Sequence, residues 1–404
     1  MRYFSIVLAG YVIVFLLLGC AKDQSPAEPF PVVLGAIYNL SGAQAGLDIP
    51  SSRGAQLAVE EANQEDGSKA RTVQLVIENG ESDTAVIAAK TKQMLEKHPL
   101  ILALMGLSDT DMVLAAAPIA AQYQRLFLTS GATSPQLPAQ VPNYLFLACF
   151  GDNVQAAAGA EWAYSELSSR TVSVLFNDSG TYTRLLQQYF RDRFTQLGGQ
   201  VLSAESYVTL NSIGQSIANL QDADLVFLSA WPDEAPQAAD LLRQAGFTAP
   251  ILGGDSFDSQ DLWQQYPNID SVFFTTHAYL GADNPNPTVQ AFREKYIQAY
   301  PNSNPDAFAA LGYDTARLLI AAVNQADNAD PADVLKALEN IQQFKGVTGT
   351  ISYTSGNRIP TKSVSIIGIE QGNFKLVQEL LPDVVPPPQL MTVFKIRVFW
   401  STRK

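Results

Sequence analysis

The feature that most constrains this chain is an alternation that runs twice. Short apolar runs at residues 32–38 (VVLGAIY), 72–78 (TVQLVIE), 100–105 and 125–129 take turns with stretches at 53–63, 83–97 and 108–123. In those longer stretches the apolar positions recur every three or four residues, which is the helix period. Residues 39–52 read as a loop, Asp83 as a helix N-cap, and Pro118 sits inside the third helix. Strands without polar alternation must be covered on both faces, so the pattern predicts a parallel sheet with helices on either side. It restarts after Phe150, with helices at 154–168, 182–197, 213–220 and 236–245 and strands at 171–176, 200–207, 224–229 and 250–253. Gly198-Gly199 supplies a C-cap signal. Helices at 287–300, 307–325 and 332–341 follow, then strands at 348–353 and 363–370 around a Ser355-Gly356-Asn357 turn. With 404 residues the chain exceeds one ordinary core. The expected fold class is therefore α/β, as two doubly wound parallel-sheet lobes between which the chain crosses more than once.

A net charge of −13 removes nucleic acid as a partner, because phosphate binding needs clustered Lys and Arg. The N-terminus carries Arg2, an apolar run over 4–18 that is short for a membrane span, and then Leu17-Leu18-Gly19-Cys20. This resembles a bacterial lipoprotein signal, with cleavage before Cys20 and lipid on its sulfur; Leu18 stands where a small residue is more usual. The alternative is an uncleaved anchor helix, and both place the rest of the chain outside the cytoplasm. Residues 20–31 are polar and proline-bearing and read as a tether. The second cysteine, Cys149, lies in an apolar stretch and reads as a buried small residue without a disulfide partner.

In open α/β sheets ligands bind beyond the carboxyl ends of the strands. The loops there read Ser41-Gly42, Gly106–Thr110, Ser130–Pro135, Asp178–Tyr182, Ala230-Trp231-Pro232 and Gly253–Ser256. Glycines and small hydroxyl residues dominate, presenting N–H and O–H groups at helix N-termini, a setting for a small anionic group.

At these loops the chain resembles the periplasmic leucine/isoleucine/valine-binding proteins, which have the type I binding-protein fold. The resemblance spans about residues 32–380 and is carried by "LSGAQAGLDIPSSRGAQLAVEEAN", "MGLSDTDMVLAAAPIAAQYQRLFLTSGATSPQL", "VLFNDSGTYTRLL" and "ILGGDSF". It implies a multi-strand hinge, with lobe 1 at 32–151 plus 280–347 and lobe 2 at 152–279 plus 348–381. It implies that Thr110 binds a ligand carboxylate and that Gly131, Ala132 and Thr133 bind carboxylate and ammonium. Asp255 matches the acidic partner of the ammonium, where the family often carries Glu. Tyr182 and Trp231 match aromatics that close over the ligand, and Leu47, Trp231 and Phe308 tune side-chain choice. Some members carry a disulfide across the first lobe. The matching positions here are Ser82 and Asp109, so it is absent, and Asp109 leaves room for a cationic or amide-bearing ligand.

The implied protein is a monomeric lipoprotein, without cofactor, that captures an amino acid, branched-chain or another small polar zwitterion or amide, and delivers it to an ABC permease and ATPase. Two other readings stay open: a ligand-sensing lipoprotein for a receptor, and a docking protein that activates a partner. Capping roles for Thr110, Thr133 and Asp255, and core roles for Tyr182 and Trp231, are the plainer alternatives. His98 reads as a surface residue and His277 as lying near a lobe crossover. Two histidines without cysteine company offer no zinc spacing, and no G-x-S-x-G, P-loop or G-x-G-x-x-G follows a strand, so neither metal nor enzyme chemistry is expected. From Pro382 the chain reads as a stiff proline-rich linker, followed by a basic tail to residue 404.

Overall fold

The computed structural model describes residues 32–65, 72–353 and 356–389. The expectations for the leader, Cys20 and the tether, and for the tail from residue 390, lie outside the described residues.

Lobe 1 is built from β1 (Val32–Tyr38), α1 (Ala45–Glu65), β2 (Val73–Asn79), α2 (Thr84–Lys97), β3 (Ile101–Gly106), α3 (Thr110–Gln122), β4 (Leu126–Thr129), the single turn α4 (Leu137–Gln140) and β5 (Leu145–Leu147). Its strands are all parallel in the order β2-β1-β3-β4-β5. Every residue of β1 and β3 is buried, which is why both read as unbroken apolar runs.

Lobe 2 follows with α5 (Asp152–Ser165), β6 (Thr171–Asn177), α6 (Thr181–Gln196), β7 (Gln200–Tyr207), α7 (Ile213–Asn219), β8 (Leu225–Ser229), α8 (Ala235–Gln244), β9 (Ile251–Gly253), α9 (Gln260–Trp263) and β10 (Val272–Thr276). The chain then returns to lobe 1 as α10 (Pro287–Ala299), α11 (Ala307–Gln325), α12 (Pro331–Glu339), β11 (Phe344–Gly346) and β12 (Gly349–Ile351). It ends on lobe 2 with β13 (Val364–Glu370) and β14 (Asn373–Leu380). The second sheet has the order β14-β13-β10-β9-β8-β6-β7; β13 and β14 are its antiparallel edge. The protein is thus α/β with two doubly wound lobes.

The three lobe crossings are tied together. The Phe150 ring, on the first, lies against the His277 ring of the second at 3.9 Å between centroids. Lys362, on the third, donates to the Ala148 carbonyl (3.3 Å) and to the Thr348 hydroxyl. Within lobe 1, α1 and α11 touch backbone to backbone. A Cβ on Gly54 would lie 1.9 Å from the Ala309 carbonyl oxygen, and one on Gly312 1.9 Å from that of Ser51. This approach carries the start of α11, capped by Asp306 onto the Ala309 N–H (2.7 Å), into the cleft.

The structure departs from the sequence expectations in four respects. First, α1 begins at Ala45, taking in Pro50 and much of the expected loop. The buried Asp48 carboxylate receives the Asn39 N–H (2.8 Å) and carboxamide (2.9 Å), a tie that local propensity cannot reveal. Second, β5, β10, β11 and β14 were not predicted; β5 and β11 have three residues, and β14 is a mostly exposed edge with Phe374 and Leu380 packed inward. Third, Ile351 and Tyr353 pack in the lobe 1 core, so the third crossing lies beyond Tyr353 rather than at 348. Fourth, the segment from Pro382 is no free linker. The N–H groups of Asp383 and Val384 donate to Glu161 (2.7 and 3.3 Å), Asn153 donates to the Pro386 carbonyl (2.7 Å), and the Gln389 N–H donates to the Tyr189 hydroxyl (2.8 Å). Gln136 of lobe 1 donates to the Gln389 carbonyl. The segment is a strap along α5 and α6 that reaches the other lobe. Prolines lack N–H donors but keep free carbonyls, and the groove that receives them is a tertiary feature.

Candidate functional site

On the lobe 1 side, the turn from β3 into α3 needs Gly106 at φ 117, since a Cβ there would stand 2.0 Å from the Ile37 carbonyl. Asp109, not Thr110, is the N-cap of α3: one carboxylate oxygen receives the N–H groups of Asp111 (3.0 Å) and Met112 (3.1 Å). Thr110 is the first helical residue. Its buried hydroxyl has no hydrogen-bond partner among the described residues. The loop after β4 is held by Thr129, whose hydroxyl donates to the Leu107 carbonyl (2.8 Å) and receives the Ala132 N–H (3.2 Å). A Cβ on Gly131 would lie 2.8 Å from the Phe308 ring. Thr133 caps no helix, since Gln136 holds that place at α4; its carbonyl accepts the Asp152 N–H (2.7 Å). Leu47 on α1 and Phe308 on α11 join one apolar cluster.

On the lobe 2 side, Asp255 opens a short 3-10 turn but turns its carboxylate inward. One oxygen accepts from the Tyr182 hydroxyl (2.8 Å) and from Gln155 (2.8 Å), and the other lies 3.0 Å from His277 Nε2. A carboxylate only accepts, so His277 carries its proton on Nε2; burial pushes the imidazole below its ordinary value and keeps it neutral. Burial holds the Tyr182 phenol well above its ordinary value, so it stays a donor. Three of the roughly four acceptor positions of Asp255 are taken, leaving about one. Trp231 donates to Ser179 (3.1 Å) and lies 6.5 Å from the Tyr182 ring. A Cβ on Gly180 would meet the Trp231 ring at 2.1 Å.

Two residues absent from the sequence expectations are central here. Gln155 donates to Asp152 (3.1 Å) and Asp255, and its carbonyl oxygen accepts from the Thr275 hydroxyl (2.9 Å) and the Asp255 N–H (3.2 Å). In an alanine-rich helix it gave no signal. Asp111 reaches across the lobes to the N-terminus of α6, accepting the Thr181 N–H (3.0 Å) and hydroxyl (2.6 Å). There it meets the partial positive charge of a helix start.

Between the walls lies a cavity of about 10 Å³, room for about one water. Leu47, Phe308, Tyr182, Trp231 and Asp255 border it, together with Gln44, Ser108 and Asp109. Thr110 and the 131–133 loop lie behind that wall rather than on it. A larger groove of about 680 Å³ adjoins at Pro232. Two of its charged side chains are already engaged, Arg53 with Ser303 (3.1 Å) and Asp258 with Thr276 (2.5 Å), whereas the smaller cavity holds the inward carboxylate of Asp255 and is the candidate. Acidity gathers around it. Burial raises Asp48 to about 6, burial and then the Asp111 charge raise Asp109 to about 7, and burial and then the Asp255 charge raise Asp152 to about 8. Cys149 is buried and donates to the Ala132 carbonyl (3.3 Å), with burial pushing its thiol up. His98 is an exposed residue ending α2.

The family description "Periplasmic binding protein" matches residues 31–373. The chain belongs to the periplasmic binding protein family. This periplasmic binding protein is 25% identical to Leu/Ile/Val-binding protein homolog 3 of Brucella melitensis, over 84% of this chain and 92% of the relative. It resembles the leucine-binding protein LivK of Thermotoga maritima at TM-score 0.79 and 27% identity, covering 87% of this chain and 99% of that one. The fold is also that of the branched-chain amino acid transporter substrate-binding protein LivJ of Streptococcus pneumoniae in complex with isoleucine (TM-score 0.78, 23% identity, 88% and 100% covered). These are type I periplasmic binding proteins, an extracytoplasmic group, and the relatives are binding proteins by description rather than enzymes.

Proposed function

We propose that this periplasmic binding protein captures an amino acid between its lobes and delivers it to an ABC importer, held at the membrane by lipid on Cys20. The observation that carries the reading is a pair of opposite chemistries on the two sides of one cleft. Lobe 1 offers the unpartnered Thr110 hydroxyl in the first turn of α3, whose Asp111 and Met112 N–H groups Asp109 already takes, and lobe 2 offers Asp255 with about one acceptor position open. A helix start favours a carboxylate and an acid favours an ammonium, so the pair suits a zwitterion. The binding partners named for the relatives support the same reading.

In this mechanism the carboxylate meets the Thr110 hydroxyl and Thr133, the Gly131 and Ala132 N–H groups being already given to Leu107 and Thr129, and the ammonium meets Asp255. Tyr182 and Trp231 cover the ligand, while Leu47 and Phe308 contact its side chain. A cavity of about 10 Å³ holds no amino acid, so entry needs the lobes to part and binding draws them together. The importer would read the closed form.

The test is calorimetry on the full chain with the twenty amino acids, each with its decarboxylated and deaminated analogues. One class of amino acid is expected to bind, with both analogues at least about 100-fold weaker, since each lacks one charge-assisted contact. If no amino acid binds, the reading fails. Labelling with a radioactive fatty acid in the producing bacterium, lost in Cys20→Ser, checks the anchor.

A further inference from the structure

Resting on that reading, we infer that the preferred ligand is an amino acid whose side chain ends in N–H donors, an amide or a cation, bound by Gln44, Ser108 and Asp109. These three border the cavity and are each more than nine-tenths buried, at 4%, 8% and 4% exposure. All three have acceptors left over. Asp109 uses one oxygen to cap α3, and its other oxygen takes no hydrogen bond from the described residues. The Ser108 hydroxyl sits beside Asp48, helping to hold that acid down, without closing a hydrogen bond; its lone pairs remain free. The Gln44 carboxamide has no partner among the described residues, while its backbone is pinned by Ser82 (3.0 Å). Neither Lys nor Arg borders the cavity to answer them.

Gln44 and Ser108 can donate as well as accept, but the free oxygen of ionised Asp109 can only accept, and a buried acceptor without a donor is destabilising, so an occupant that brings N–H donors completes the closed cleft. An aliphatic side chain leaves all three unmatched. A site built to hydrogen-bond its ligand discriminates strongly against an analogue that lacks the group. On this wall, leucine, isoleucine and valine are the analogues.

The experiment is calorimetry on the full chain with glutamine and asparagine, lysine and arginine, and leucine, isoleucine and valine, for the native protein and for Ser108→Ala, Gln44→Leu and Asp109→Asn. Asparagine still caps a helix, so the last variant removes charge while keeping the fold of α3. At least one N–H-bearing amino acid is expected to bind about tenfold or more tighter than leucine. The variants should erase that preference, weakening the N–H-bearing amino acid and, with an unmatched acceptor removed from the wall, tightening leucine. If Asp109→Asn weakens cations alone, the ligand is cationic; if Gln44→Leu and Ser108→Ala weaken amides most, it is an amide. Equal or tighter binding of leucine, isoleucine or valine by the native protein overturns the inference and leaves the amino-acid reading standing. Absence of binding by every amino acid overturns both.

Discussion

The two walls of the cleft are built to different degrees of completion. On lobe 2, Tyr182, Trp231, Asp255 and Ser256 all have partners, and Gln155 closes the set from behind. On lobe 1, Gln44, Ser108, the second oxygen of Asp109 and the Thr110 hydroxyl are left open. A satisfied wall is part of the fold, whereas an unsatisfied one is held in place by the fold and completed from outside. Changes on lobe 2 should therefore be felt as lost stability together with lost binding. Changes on lobe 1, the helix-capping oxygen of Asp109 apart, should be felt as lost binding alone.

The strongest way to break this comparison is Asp255→Ala. It strands three buried donors, on Gln155, Tyr182 and His277, and is expected to lower stability by about 3 kcal/mol while abolishing amino-acid binding. Denaturant unfolding of the variant checks the first part; unaltered stability would show that the lobe 2 network is no part of the fold. Next in size is Asp111→Ala, which removes the two bonds from α3 to the start of α6. Because Asp111 is not on the cavity wall, the loss belongs to the closed form. Affinity should fall about tenfold, mostly through faster release, with the order of ligand preference unchanged. Stopped-flow release rates decide it, and a changed preference would place Asp111 in the pocket instead.

A smaller effect comes from pH. Asp109 and Asp152 titrate near 7 and 8 when folded and near 3.8 when unfolded. The folded chain therefore holds more protons from about pH 4 to about pH 8, and across that window stability must fall as pH rises, the slope ending as each group loses its proton in the folded state. His277, depressed by burial, works in the opposite sense, but only below about 6.5. The melting temperature should drop across that window, and less so in Asp152→Asn; a rise would contradict the assignment. The smallest expected change is the stability of Thr110→Ala, within about 0.5 kcal/mol of the native protein, because its hydroxyl has no partner to lose. Its ligand affinity should nevertheless fall. A Thr110→Ala variant that unfolds easily would mean lobe 1 is no less finished than lobe 2.

The strap from Pro382 to Gln389 also separates the two kinds of information. Its composition reads as a spacer, and only the positions of Glu161, Asn153 and Tyr189 on two neighbouring helices make it a bound segment. The same holds for Gln155 and Asp111. Nothing in their neighbours marks one as the hub beneath Asp255 and the other as a cross-lobe tie. The first turns of α1 were likewise unreadable, because Pro50 argues against a helix and the Asn39–Asp48 tie that supports it joins residues nine apart.

By itself the sequence determined the two doubly wound lobes, since strand and helix periods are written residue by residue and burial on both faces leaves an unbroken apolar run. It also determined which loops stand at the strand ends, and so brought Tyr182, Trp231 and Asp255 to one cavity, while Leu47 and Phe308 were expected there only from the family resemblance. Only the tertiary structure decided which polar atoms in that cavity are satisfied and which are not. Hydrogen-bond saturation depends on distances of about 3 Å between residues as far apart as Gln155 and Asp255, and no local pattern carries that.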